Sequence, residues 1–359
     1  MEYFIVFIIS IWFANLAQKQ FDIGINKTGW LFYFVSMLIP CLLAALRNIN
    51  IGIDVEFYVT PLLQEAWHSN FEQFLTAAKE ENRDLFFSLI MYIGSWSNYP
   101  WLSMFIIQFL ISAPIYLCLY RYREHIKIWI ALFIFYFMYF NTGLCVMRQF
   151  VSASFLFLAY SYLSEKKYIP HIILGVIACL SHHFAIVVFA LISAIYYAVE
   201  VRQFSNKYFI IASLLIVILG MSFFDYLFQN ALIDEMYMDR AIARVDEGRF
   251  NLKGTMYYSF TIILPYFFIG DNRFKTIQTI ATVGFVLMFL GLYTSYFARF
   301  SMSLQMFVIL SFPYFLTQVK SKHATLLTIT LLLATLWYWH TAVVLQTGWG
   351  TYPYEMYKF

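Results

Sequence analysis

The chain has 359 residues, of which 62% are hydrophobic and only 12% charged, with a formal net charge of +3. Soluble domains carry roughly a quarter charged residues, so this composition excludes a water-faced globule, and the scattered Lys and Arg exclude a nucleic-acid patch. The apolar residues fall instead in runs from Tyr3 to His340, joined by short polar segments, as a bilayer demands.

The first run, Glu2 to Ala17, lacks a basic leader and a small-residue cleavage pattern, so it reads as a retained helix rather than a signal peptide. The expected spans are 3–17, 29–47, 101–120, 127–141, 144–163, 168–181, 184–199, 207–223, 254–270, 276–293, 300–317 and 323–341. Lipid offers backbone groups no partners, so each run is read as helix. The predicted fold class is all-α, a polytopic membrane protein of about 12 transmembrane helices, some short or broken. No repeat or linker divides it, and 1–359 is read as a single integral membrane domain. Two outer loops are long enough to carry structure. Residues 48–83 interleave acids with aromatics, and between Pro61 and Ala78 the apolar positions recur at helical spacing, which predicts an amphipathic interfacial helix. Residues 224–253 hold a basic cluster of Arg240, Arg244 and Arg249, the first two sharing a face if the loop is helical. Between the second and third spans, the 84–97 stretch would rise only about 21 Å against a hydrocarbon core of roughly 30 Å. It reads as a re-entrant or tilted helix broken at Asn98-Tyr99-Pro100, with a complete span as the alternative.

Charge then orients the spans. One set of joints, from Lys19 to Lys322, holds 13 basic residues against five acidic ones, and the remainder of the chain holds ten against 15. The first set is expected in the cytoplasm, with both chain ends outside.

Against that topology some charges stand out. Arg47, Arg148 and Arg299 all fall near the outer membrane–water boundary, on the side of Arg240 and Arg244. A shielded arginine is costly unless it is paired. The bland account is snorkelling or pairing with acids such as Asp54 or Glu81. The chemical account is phosphate, which a planar guanidinium grips with two donors. His182 and His183 join two apolar runs at the same level, either as helix-cap residues or as groups that exchange a proton near neutrality. Aromatic residues would suit sugar faces, although interfacial belts account for most of them. Cys41, Cys118, Cys145 and Cys179 have no metal or redox spacing and read as packed thiols. No DxD-like cation site, P-loop, Rossmann glycine pattern or HExxH stands out, so neither a metal nor a cofactor is expected.

Three stretches carry a likeness. Arg47 to Asp54 followed by Tyr58, Met147-Arg148-Gln149-Phe150, and Ala178 to Ala185 around His182 resemble motifs of the bacterial Wzy/EpsG-type polysaccharide polymerases. Glu81 before Leu85, Arg299, and Tyr352-Pro353-Tyr354 are weaker echoes. Phe184 departs from that pattern, standing where a small hydroxyl residue is usual, and no threonine neighbours Asp54. The resemblance implies a GT-C-like glycosyltransferase architecture in the cell inner membrane, acting at the periplasmic or outer face. It implies transfer of a growing glycan from undecaprenyl diphosphate to a new lipid-linked repeat unit. The implied partners are undecaprenyl-diphosphate-linked oligosaccharides, membrane lipid and a chain-length regulator protein. On this reading Arg148 and Arg299, with Arg47, hold the diphosphate, while Arg240 and Arg244 organise the loop or the second headgroup. His182 takes the acceptor proton, Glu81 and Asp54 are rival bases, and Gln149, Tyr58 and His183 support. A lipid-linked oligosaccharide flippase, a glycan ligase and a non-catalytic assembly protein are the rival functions. A flippase would carry polar residues through its cavity, whereas here they gather near one face.

Overall fold

The computed structural model describes residues 1–52, 55–81, 83–205, 207–229, 252–292, 295–347 and 349–357. Two compact units emerge: Met1–Ile186 together with Leu332–Phe359, and Val187–Leu331. Among the described residues, seven helices are long and apolar enough to cross a membrane by length and composition. This is fewer than the twelve spans read from hydropathy; the apolar runs at Tyr168–Ser181 and Ala185–Val201, for example, form shorter helices.

The first unit begins with α1 (Glu2–Asp22) and α2 (Asn26–Ala45), which pack on each other. Two short helices follow, α3 (Thr60–His68) and α4 (Phe71–Glu80), where the sequence predicts one amphipathic helix. The apolar phase does continue across the junction, but Ser69 turns to extended backbone. Asn70 then starts a new helix with a reciprocal capping box to Gln73, a pairing that offsets the unsatisfied first-turn donors. Next come α5 (Leu85–Gly94), α6 (Trp101–Arg121), α7 (Ile128–Cys145), α8 (Met147–Leu163) and α9 (Tyr168–Ser181). α5 is a ten-residue apolar helix that stops before Asn98-Tyr99-Pro100. At about 1.5 Å per residue it covers only about half of a hydrocarbon core.

α8 is the central strut of this unit, with all but two of its residues buried. A helix enclosed on every side has no need of an apolar stripe, and its sequence shows none. It packs between α6 and α9, while α5 touches both of those neighbours. The α5–α6 crossing is close because Gly94 has no side chain: a Cβ there would fall 2.8 Å from the Ser103 Cα.

Inside the bundle, α1, α2, α6 and α7 are tied by four hydroxyls. Ser10 and Ser36 exchange hydrogen bonds to each other's carbonyls at 2.7 Å. Tyr116 and Tyr136 bond each other and reach Ser36 and Ser10 at 2.7 and 2.8 Å. Such interhelical bonds contribute on the order of 0.6–2 kcal/mol each in lipid. The chain's far end also belongs here. The Tyr3 hydroxyl donates to the Thr351 carbonyl at 2.8 Å, and Tyr354 donates to Leu43 at 2.9 Å. A short antiparallel bridge pairs Arg47 with Met356.

The second unit comprises most of α10 (Ala185–Val201), then α11 (Lys207–Gln229), α12 (Leu252–Tyr258), α13 (Asn272–Gly291) and α14 (Phe297–Gln318). α13 packs on α11 and α14. A further helix, Ser321–Leu345, carries the chain back to the first unit.

Candidate functional site

The site grows from three helix ends in the first unit. Asp84 is the N-cap residue of α5, yet its side chain makes no cap bond to that helix. An aspartate in this position ordinarily stabilises its own helix by about 1 kcal/mol, so its carboxylate has been recruited elsewhere. One oxygen, Oδ1, accepts the His183 backbone N–H at 3.2 Å and faces His183 Nδ1 at 3.3 Å. The other, Oδ2, accepts from Arg148 Nη1 at 3.1 Å and stands 3.6 Å from His182 Nδ1.

Each partner arrives for a local reason. Arg148 is the second residue of α8, where a cation meets the positive end of the helix dipole. The Asp84 charge offsets that conflict. His182 ends α9 in extended backbone, so the two histidines occupy a break between α9 and α10.

Exposure divides the group. The Asp84 side chain is only 5% exposed and that of His182 9%, whereas Arg148 is 35% and His183 65% exposed. Both ring nitrogens of His182 are buried without a hydrogen-bond partner. Burial pushes the Asp84 carboxyl up, but His182, the Arg148 charge and His183 together outweigh it and hold the group below its ordinary value of 3.8. Asp84 is therefore a buried anion at neutral pH, shared by one guanidinium and two imidazoles. The Tyr58 ring, about half exposed, lies 5.2 Å from the Arg148 guanidinium carbon, with Phe87 on another side at 6.0 Å. These distances fall within cation–π range.

Asp84, His182 and His183 also offer one donor atom each within 4.8 Å of one another, a grouping that invites a divalent ion. The Arg148 guanidinium already supplies the counter-charge at Oδ2, so a bound ion would have to lie against it or displace it. The donor set fits a guanidinium–carboxylate–imidazole array better than a metal centre.

Of the residues singled out by sequence, Arg148, His182, His183 and Tyr58 come together. Gln149 is buried next to them along α8. Arg47 meets the start of the same region from inside: it is buried, its Nη2 donates to the Leu144 carbonyl at 2.9 Å, and it contacts the Met147 sulfur at 3.5 Å. Glu81 is exposed and pairs with Arg83, which also binds Glu65 at 2.8 Å. Arg299 is half-buried in α14 of the second unit. Asp54, Arg240 and Arg244 lie outside the described residues.

The sequence reading missed Asp84. Its only local signal is a single acid abutting an apolar run, which an N-cap explains equally well. Its partners are 64 and 99 residues away along the chain.

A basic helix start, an acid that leaves its own helix and a histidine pair at a helix break form one cluster, and all lie within the stretch that a known family spans. The model of the EpsG family matches residues 30–356. The chain belongs to the EpsG family. Membership gives it the general character of a Wzy/EpsG-type polysaccharide polymerase, and the helical membrane architecture agrees. No curated protein and no solved structure matches the chain.

Proposed function

We propose that this EpsG-family protein polymerises lipid-linked glycan repeat units at the outer face of the cytoplasmic membrane. The growing chain leaves undecaprenyl diphosphate and joins a new lipid-linked unit. The observation that carries the reading is the Arg148–Asp84–histidine array: a partly exposed guanidinium, anchored by a buried carboxylate that also faces two imidazoles.

In this reading Arg148 takes the donor diphosphate, whose negative charge grows as the glycosidic bond breaks. Tyr58 offers an aromatic face beside that charge. The acceptor hydroxyl oxygen bonds to the donor's anomeric carbon. The bond from that carbon to the diphosphate oxygen breaks, and its electron pair leaves with the diphosphate. The hydroxyl proton passes to an imidazole of the His182–His183 pair. Arg299, Arg240 and Arg244 belong to the proposal as further grips on one or other headgroup, from sequence alone. Arg47 supports from within, steadying the turn before Arg148 through Leu144. About a dozen crossings and a GT-C-like arrangement are part of the same proposal, with α8, α9, α10, α11 and the segment that α12 begins completing the count.

The test is purified protein in lipid nanodiscs, incubated with defined undecaprenyl-diphosphate oligosaccharides and read as a product ladder on a gel. Covalent extension without accessory enzymes is the expected result. Movement of labelled substrate across the bilayer with no extension would overturn it in favour of a flippase.

A further inference from the structure

We propose that His183, through its Nε2, is the proton acceptor of this site, and that Asp84 is the positioning residue that sets its tautomer. The inference rests on the polymerase reading and chooses between its two imidazoles, against the sequence motif that points to His182.

Geometry separates the neighbours. Asp84 holds His183 at two points through the same oxygen, by the backbone N–H at 3.2 Å and by Nδ1 at 3.3 Å. The carboxylate is acceptor-only when ionised, so the facing Nδ1 carries the hydrogen. The neutral ring then has its lone pair at Nε2. With Nδ1 turned inward to Asp84 and the ring 65% exposed, that lone pair is the one an incoming hydroxyl meets. His182 stands differently. Its Nδ1 is 3.6 Å from Asp84, both nitrogens are buried, and no surface leads to either. A base must come within hydrogen-bond reach of the proton it removes, and His183 does so without rearrangement of the fold.

The chemistry closes. The acceptor hydroxyl gives its proton to His183 Nε2 as its oxygen bonds to the anomeric carbon, and the diphosphate departs with the electron pair. The resulting imidazolium lies against the Asp84 carboxylate, which stabilises it, and its extra proton then passes to water. The charged and titratable groups around His183 are Asp84 at the start of α5, Arg148 at the start of α8, and His182 at the end of α9. Asp84→Asn would place an amide where the carboxylate was. Its oxygen stays on the His183 backbone N–H and Nδ1–H, because an amide nitrogen there would oppose the backbone N–H, so the variant keeps the tautomer and removes the charge behind the imidazolium.

The experiment compares four proteins in nanodiscs: wild type, His183→Asn, His182→Asn and Asp84→Asn. For His183→Asn the polymerisation rate should fall about 10²–10⁴-fold, with the KM for the lipid-linked unit within about twofold of wild type. Asp84→Asn should lower kcat without raising KM, since it also frees the Arg148 guanidinium. His182→Asn should lose less than His183→Asn. Wild-type turnover by His183→Asn, or a larger loss in His182→Asn than in His183→Asn, would overturn the assignment. A second measurement does not need turnover: nitrogen NMR of labelled imidazoles should find His183 protonated at Nδ1 in wild type and in Asp84→Asn, and shifted toward Nε2 in Asp84→Ala, which offers no acceptor. An Nε2-protonated His183 in wild type would also overturn it. If wild type makes no polymer, the polymerase reading falls, and the NMR result still decides the dyad.

Discussion

Two polar clusters in the first unit make an instructive pair. The hydroxyl cluster of Ser10, Ser36, Tyr116 and Tyr136 is fully enclosed, uncharged, and satisfied bond for bond among α1, α2, α6 and α7. The Asp84 cluster holds formal charges, is open on one side, and leaves the His182 ring nitrogens without a hydrogen-bond partner. The first has the economy of interhelical glue, in which every donor finds an acceptor. The second carries more charge and less satisfaction than stability alone would select, which supports the proposed ligand site.

Substitutions should separate the two clusters cleanly. Arg148→Gln should cut polymer formation about 10²–10³-fold, the range for losing one group that stabilises developing charge. Membrane insertion and monodispersity on size exclusion should be unchanged, and a matched loss of folded protein would erase the contrast. Gly94→Val acts on packing instead. It drives a side chain into Ser103 and the α6 backbone, and should cost about 1–3 kcal/mol in a denaturation assay. Tyr136→Phe removes hydroxyl contacts from the enclosed cluster and should cost about 1 kcal/mol of stability. The polymerisation rate of the remaining folded protein should match wild type.

Acid should sharpen the comparison further. The Asp84 carboxyl is held below its ordinary value of 3.8, so its contribution to stability is complete above that pH and fades as pH drops through the folded-state value. Asp84→Asn should therefore flatten the acid end of the stability profile, whereas Tyr136→Phe should leave the shape of that profile alone. Smallest of all, Glu81→Gln breaks an exposed pair with Arg83 and should change stability by no more than about 0.5 kcal/mol. A large loss of activity in that variant would favour Glu81 as the base.

Membrane residence was plain in the sequence because it is a property of composition and run length, which need no contacts. The break near Asn98-Tyr99-Pro100 was legible for a similar reason, since a short apolar run and a proline are local facts, although the helix ends at Gly94 rather than at 97. Arg148 and the histidines were visible because charges at the ends of apolar runs are conspicuous. Asp84 was not, since its meaning depends on α8 and α9 arriving beside α5. Arg47 shows what position alone leaves out: its guanidinium is buried, and its side-chain hydrogen bonds go to a carbonyl and two methionine sulfurs. The division of 61–78 into α3 and α4 escaped notice because the apolar spacing persists across Ser69 and Asn70, and only the capping bonds reveal the turn.

The C-terminal stretch pinned to Tyr3, Leu43 and Asn141 has a consequence for how the molecule is made. Every member of the Asp84 array is translated before residues 187–331, but the bonds to Tyr3, Leu43 and Asn141 are made by residues translated after them. The first unit therefore closes only once the chain of the second has emerged from the ribosome, and a product that stops short of Thr351 would hold the Asp84 cluster without those bonds.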